Sequence, residues 1–430
     1  MGILPNEKFI SFSSFSDKTY PFGYGISSII YPEELKHTFL PVIFIKKNIN
    51  NYQLRIGRWE QKLTNQSSLS SGSLIKGNNS VPTSQITLSI PKYKEFKIYN
   101  NSLWFKGGFT HGWLSKNSYL KAPYLHEKYL YIQKRFKNNS EFSLGLVHEA
   151  IWGGETIDQG LQPESFADFL YVVLARPASS SGSLPEQLNR LGNHLGIWDI
   201  SYKKILPSKI FKFYYQHLFE DGSGAYQYFF DEIKALRFPS KSFNGLFGVE
   251  IVNKSSKLLE SFLYEYLNTM IQSGSEAASD STYGWDNYYN HHIYLSGWVN
   301  NGKVLGNPLF TLGSNIGHYS NSTYIINNRI IAHHIGIAGN LFKNTHYKIL
   351  LTYSNNYGTY YDKNRSKNEK KIYKFDGGLK QFSTLIEFSR KKILNNIDIQ
   401  FSYAMDRGEL LKDSRSFVFV IDYNFNDLSY

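Results

Sequence analysis

Residues 395–430 constrain the fold more tightly than any other stretch of the chain. From Asn396 to Met405 one phase reads Ile397, Ile399, Phe401, Tyr403 and Met405, and the other reads Asp398, Gln400, Ser402 and Ala404. The next segment repeats the pattern, with Phe417, Phe419, Ile421, Tyr423 and Phe425 against Val418, Val420, Asp422 and Asn424. Period two places alternate side chains on opposite faces of a strand. An apolar set of about five residues suits a strand of ~10 residues that crosses a bilayer core at a tilt. A half-buried strand of a soluble sandwich alternates in the same way, so the decision rests on how far the pattern extends.

It extends through most of the chain. Tyr52, Leu54 and Ile56 oppose Gln53, Arg55 and Gly57; Ile86, Leu88 and Ile90 oppose Gln85, Thr87 and Ser89; Phe142, Leu144 and Leu146 oppose Ser143, Gly145, Val147 and Glu149. The same reading predicts strands at Leu103–Thr110, Phe211–Gln216, Ile293–Val299, Ile349–Tyr353 and Phe382–Phe388. Tight polar turns at Asn100-Asn101, Asn138-Asn139, Ser255-Ser256 and Asn395-Asn396 alternate with long excursions near 63–81, 112–125, 152–189, 221–238, 272–290, 358–377 and 407–413. Short turns at one end and long loops at the other describe an outer-membrane barrel with its long loops outside the cell. A sandwich scatters its loop lengths. The expected fold is therefore all-β, a transmembrane antiparallel β-barrel of about 18 strands. Residues 1–430 read as one domain, since no linker or lasting change of composition divides them.

Composition agrees. Aromatic residues make up 17% of the chain, with 33 Tyr and 31 Phe, an excess suited to strands and interfacial girdles. Mean hydropathy is −0.37 and no run of 18 apolar residues exists, which excludes a helical membrane protein. Cysteine is absent, as suits an oxidising export route. Met1–Lys8 contains no apolar signal core, so the chain reads as the mature part of a cell outer-membrane protein. The formal charge of +12 fits anionic lipid or an acidic polysaccharide; its basic residues are scattered and carry no nucleic-acid module, so nucleic acid is not an expected partner.

One excursion carries helical spacing. Between Pro163 and Ala175, Phe166, Phe169, Leu170, Val173 and Leu174 recur on one stripe behind Ser165, a suitable cap. With Asp168 present and few basic residues, this helix near 164–175 is expected to lie over the barrel mouth rather than on the membrane surface.

Several ordered stretches carry a resemblance. They are Leu69-Ser-Ser-Gly-Ser-Leu74 with Pro82, Gly145-Leu-Val-His-Glu-Ala-Ile-Trp-Gly-Gly154, Glu186-Gln-Leu-Asn-Arg-Leu-Gly-Asn-His-Leu-Gly196 with Trp198-Asp199, and Tyr214-Tyr-Gln-His-Leu-Phe-Glu-Asp-Gly-Ser-Gly224. Asp286-Asn-Tyr-Tyr289, Ser296-Gly-Trp298, Asn328-Arg-Ile-Ile-Ala-His-His334 and Thr352-Tyr-Ser-Asn-Asn-Tyr-Gly358 continue the set. In these the chain resembles the Wzi capsule-assembly family, in the form common in the Bacteroidetes. The resemblance implies an 18-stranded outer-membrane barrel closed by its own loops and helical pieces. It also implies a lectin that holds capsular or surface polysaccharide at the cell, amid outer-membrane lipid and lipopolysaccharide and with other outer-membrane proteins as possible partners. One departure is that no clear helical bundle is read ahead of the first strands, where the family has a periplasmic helical plug, and the sequence leaves that plug open. The rival roles are a component of an outer-membrane transport or secretion complex and a lipid-modifying hydrolase.

Catalytic readings find little support. His148 and Glu149 are strand neighbours and project to opposite faces, Glu149 to the lumen and His148 to the lipid side near the rim. His291-His292 and His333-His334 meet the same objection as metal ligands, and no ligand set at zinc spacing accompanies them. No nucleophile elbow is present, and Glu220–Gly224 lacks the spacing of a calcium loop. No enzyme activity, metal or cofactor is expected. Sugars require aromatic faces beside planar amide, carboxylate and guanidinium groups. Trp152, Trp198, Tyr283, Trp285, Tyr288, Tyr289 and Trp298 lie in or beside long loops among Glu155, Asp158, Arg190, Asp286 and Asn287, and these twelve are the candidate polysaccharide contacts.

Overall fold

The computed structural model describes residues 10–16, 22–30, 39–64, 66–77, 80–99, 101–117, 119–180, 182–220, 224–225, 244–272, 286–316, 324–342, 344–360, 373–394 and 397–424. The main sheet comprises β1 (Ile10–Ser16), β2 (Phe22–Ile30), β3 (Phe39–Ile49), β4 (Tyr52–Arg58), β5 (Ser84–Ile98), β6 (Asn101–Trp113), β7 (Tyr124–Phe136), β8 (Ser140–Trp152) and β9 (Asn193–Ile205). It continues with β10 (Lys209–Phe219), β11 (Gly245–Asn253), β12 (Ser261–Asn268), β13 (Arg329–Phe342), β14 (Thr345–Gly358), β15 (Leu379–Leu394), β16 (Ile397–Gly408) and β17 (Ser414–Asn424). Each strand pairs antiparallel with the next, and β17 pairs with β1 in parallel through Ser11↔Asp422, Phe12↔Tyr423 and Ser13↔Asn424. The expectation was about 18 strands; the described residues form a sheet of seventeen. In an odd up-and-down series the first and last strands run the same way, so their pairing must be parallel.

The expected face assignment holds where the sequence pattern was clearest. Phe388, Phe401 and Phe419 form one cross-strand row, and Phe401 is 41% exposed whereas its neighbour Ser402 is 4% exposed. Gln400 turns inward, where its amide donates to Glu387 (2.9 Å), itself paired with Lys348 (3.0 Å). Outward residues thus form an apolar belt and inward residues find polar partners, as a membrane barrel requires. Connections are short at one rim (for example 50–51, 137–139 and 206–208) and long at the other (59–83, 153–192, 269–328 and 359–378). The expected turns all fall at the short rim, with Asn100, Asn395 and Asn396 themselves outside the described residues, as are Phe425 and nearly all of the 221–238 excursion.

One expected strand is absent. Ile293, Leu295 and Gly297 lie in bends, turns and irregular chain, and Val299 belongs only to the two-residue ladder Val299–Asn300. Gly297 adopts φ +67°, and a Cβ there would lie 2.1 Å from the Tyr289 carbonyl, so the chain folds back on itself. Ile293 and Val299 are buried in a plug that fills the lumen.

The helix forms as its cap predicts. α1 (Phe166–Val173) begins at Ser165, whose hydroxyl accepts from Asp168 N while the Asp168 carboxylate accepts from Ser165 N (2.9 Å), a reciprocal capping box. A second short helix, α2 (Leu184–Leu188), follows. The placement of α1 corrects the expectation of a helix over the mouth. Phe169 packs on His111, His126 and Trp152, all outward residues of β6, β7 and β8, so α1 lies on the outer wall. The wall there is polar and aromatic and leaves room for a covering element.

Candidate functional site

The long-loop rim is built over the plug, which among the described residues consists of two loops. The first, 59–83, crosses the lumen as an irregular chain whose backbone and hydroxyls need partners. Strand side chains supply them. Glu265 on β12 accepts from Ser70 Oγ (2.6 Å) and Ser71 N (2.7 Å), and Gln216 on β10 accepts from Ser73 Oγ (3.1 Å) and Leu74 N (3.0 Å). His334 Nε2 donates to Leu69 O (2.7 Å), and Lys76 pairs with Glu127.

Two similar devices hold the wall behind this loop. Tyr131 lies across Gly145, its register partner, and donates to Asp199 (2.6 Å) on the next strand; Tyr214 lies across Gly248 and donates to Glu265 in the same way. A Cβ on Gly145 would lie 2.2 Å from the Tyr131 ring, so the missing side chain is what seats it.

The second loop, 269–328, packs on the first. Tyr289 donates to Leu74 O and stacks on Phe310 with ring centroids 4.1 Å apart; Asn307 Nδ2 donates to Gly72 O (2.6 Å), and Trp298 Nε1 donates to Ile75 O (3.4 Å). Burial raises the Tyr289 hydroxyl above its ordinary pKa. Burial, then neighbouring His292, depresses His291 to about 3, so its Nδ1 stays free to accept from Ile293 N (3.2 Å).

These contacts redistribute the twelve candidates. Tyr288, Tyr289 and Trp298 are buried pillars of the plug, and Trp152 is buried between the outer wall and α1, its ring tilted against Tyr124 (5.0 Å). All four rings are 3% exposed or less, so neighbouring protein covers their faces. Trp198 is half-buried on the outer wall with its indole donating to Ala225 O (2.8 Å), and Arg190 donates from Nε to Ala175 O (3.0 Å). Tyr283 and Trp285 lie outside the described residues.

The rim keeps two separate groups. Glu155 and Asp158 are exposed beyond β8, Glu155 in a small sheet with Lys121, to which it is paired (2.8 Å). Asn287 is exposed and accepts from Asn328 Nδ2 (2.6 Å) and Asn290 Nδ2 (3.1 Å), while Asp286 O accepts from Arg329 Nη2 (2.7 Å). The Arg329 guanidinium sits 3.5 Å from the centroid of the Tyr360 ring. The roles of Arg329, Asn328, Glu265 and Gln216 escaped the sequence reading, since an inward polar side chain looks alike whether it meets water or a plug.

As expected, His148 and Glu149 face opposite ways. Glu149 stands across from Glu127 in the lumen, with Lys76 on Glu127; His148 Nε2 meets His194 Nδ1 outside (2.9 Å). Among the described residues no group of three His, Cys, Asp or Glu is arranged to hold a metal.

The family model for capsule assembly protein Wzi matches residues 43–316, a span that takes in the first plug loop, the outer helices and most of the second loop. The chain belongs to the Wzi capsule-assembly family. Its structure is similar to that of Wzi from Escherichia coli, an outer-membrane protein involved in group 1 capsule assembly and a carbohydrate-binding β-barrel. The two are 13% identical over 93% of this chain and 74% of that one, with a TM-score of 0.56. Two Pseudomonas aeruginosa proteins also match, OpdD at 9% identity (95% of this chain, 89% of that one, TM-score 0.43) and the outer-membrane protein OpdK at 11% (95% and 90%, 0.42). No curated protein matches the sequence. By family and fold this Wzi relative is an outer-membrane β-barrel.

Proposed function

We propose that this protein binds capsular or surface polysaccharide at its long-loop rim and helps assemble or anchor the capsule. Membership of the Wzi family is the observation that carries this reading. The filled lumen supports it from the physical side. With Leu69, Leu74, Ile75, Tyr289 and Trp298 buried together, a polymer is met at the rim rather than threaded. Weak contacts suffice, because a long repetitive chain engages many barrels at once. The exposed candidates are Asn287, Glu155 and Asp158, and Tyr283 and Trp285 stay candidates as residues that precede Asn287 in the sequence. The formal charge of +12 favours an acidic glycan. The protein acts by binding and performs no chemistry, so alanine at His148, Glu149, His333 or His334 should leave lipid A and phospholipid profiles unchanged.

The test is a deletion strain complemented with wild type, with Asn287→Ala combined with Trp285→Ala, or with Glu155→Ala combined with Asp158→Ala. Capsule retained on cells is scored against capsule shed into the medium. Shedding in the deletion, rescued by wild type and poorly by one of the doubles, is the expected result. Full rescue by both doubles refutes the rim site, and a deletion with normal attached capsule refutes the function.

A further inference from the structure

α1 is apolar on every side. Its inner side, Phe169 and Val172, packs with Ala150, Trp152 and Leu191 on the outer wall. On its other side Phe166, Leu170 and Leu174 are 75%, 44% and 58% exposed, and Ala167 is exposed between them. Its one charged residue, Asp168, is buried in the capping box. A helix with one face in water carries charge on that face, and one that is apolar all round has a second dry neighbour. α2 adds Leu184 and Leu188, both largely exposed.

The position of this surface on the barrel identifies the neighbour. On β8 the outward residues begin with Phe142 and Leu144, both exposed, and run through Leu146 to His148, Ala150 and Trp152. Ten residues of strand rise ~33 Å, or ~25 Å across the membrane at the usual tilt, the height of the apolar band of such barrels. The upper part of that band on β6 to β9 is polar, with His111, His126, Lys128, His148 and His194 facing out. The helical segment covers it and accepts from two of its donors on backbone carbonyls: Lys128 on Val173 O and His194 Nε2 on Leu191 O (2.8 Å). Phe169 meets Phe109 edge-on (6.1 Å), so the exposed face of α1 continues the belt formed below by Leu130 and Leu144.

We propose that the outer face of α1 and α2 is immersed in the acyl chains of the outer leaflet, where it replaces a polar section of barrel wall with an apolar one. The partner is lipid, and the surface is separate from the polysaccharide rim.

Because the chain has no cysteine, Leu170→Cys and Leu188→Cys each introduce one labelling position into the full-length protein. Nitroxide-labelled variants are reconstituted in phosphatidylcholine vesicles and their collisions with oxygen and with a water-soluble nickel chelate are measured, with Asp158→Cys as the rim reference. The expected result is an oxygen-to-chelate ratio several-fold above that at Asp158 for both helix labels. A ratio equal to the reference places the helices in water and overturns the proposal. Low collision with both reagents also overturns it, by showing a protein contact; a dimeric mass in native mass spectrometry would then identify a second copy as the occupant.

Discussion

The barrel wall is covered on both sides, and the two coverings obey different rules. Inside, the described parts of loops 59–83 and 269–328 are largely irregular, and wall and loop side chains such as Glu265, Gln216, His334, Asn307 and Tyr289 partner many of their backbone and hydroxyl groups. Outside, the covering element is α1, which satisfies its own backbone and needs only the Ser165–Asp168 box at its start. Irregular chain is tolerated at membrane depth only when it is enclosed by protein, whereas a surface toward lipid must be helix or closed sheet. The same alternating strands thus support a polar-clamped plug on one face and a self-sufficient helix on the other.

The strongest test of this contrast is Glu265→Ala. It strips the acceptor from half-buried Ser70 and Ser71 and from buried Tyr214 at once, each unpartnered donor costing ~1–3 kcal/mol with the serines at the low end, so a loss of about 4 kcal/mol is predicted. Denaturant midpoints in vesicles measure it, and planar-bilayer conductance should rise as the plug loosens. A loss below ~1 kcal/mol would mean that the clamps are dispensable.

Next, Phe401→Arg should cost ~2–4 kcal/mol at the lipid face, and Gln400→Arg close to nothing because Glu387 stands beside it in the lumen. Equal losses in the same unfolding assay would dissolve the distinction between the two faces.

The smallest effect belongs to the outer helix. Asp168→Ala removes half of the capping box and should cost ~1 kcal/mol. Because the plug is independent of that box, hydrogen exchange should quicken over 165–174 while amides of 69–77 keep their protection. Faster exchange in both regions would show that the coverings are coupled.

The chain sequence by itself determined the direction of side chains along most strands, because period two is a property of the backbone and survives in any surroundings. Phe401 and Phe419 outward, His148 and Glu149 on opposite faces, short turns at one rim and the Ser165 cap were all legible for that reason. What covers each face was decided only in three dimensions. The Ile293–Val299 alternation belongs to a folded plug because Gly297 turns the chain, and Trp152, Tyr288, Tyr289 and Trp298 are buried because distant segments close over them. An aromatic ring in a loop has the same composition whether it meets sugar, lipid or protein. Only the arrival of other segments, as where Tyr294 reaches Gly153, Tyr289 reaches Leu74 and Phe169 of α1 reaches Trp152, settles which neighbour it has.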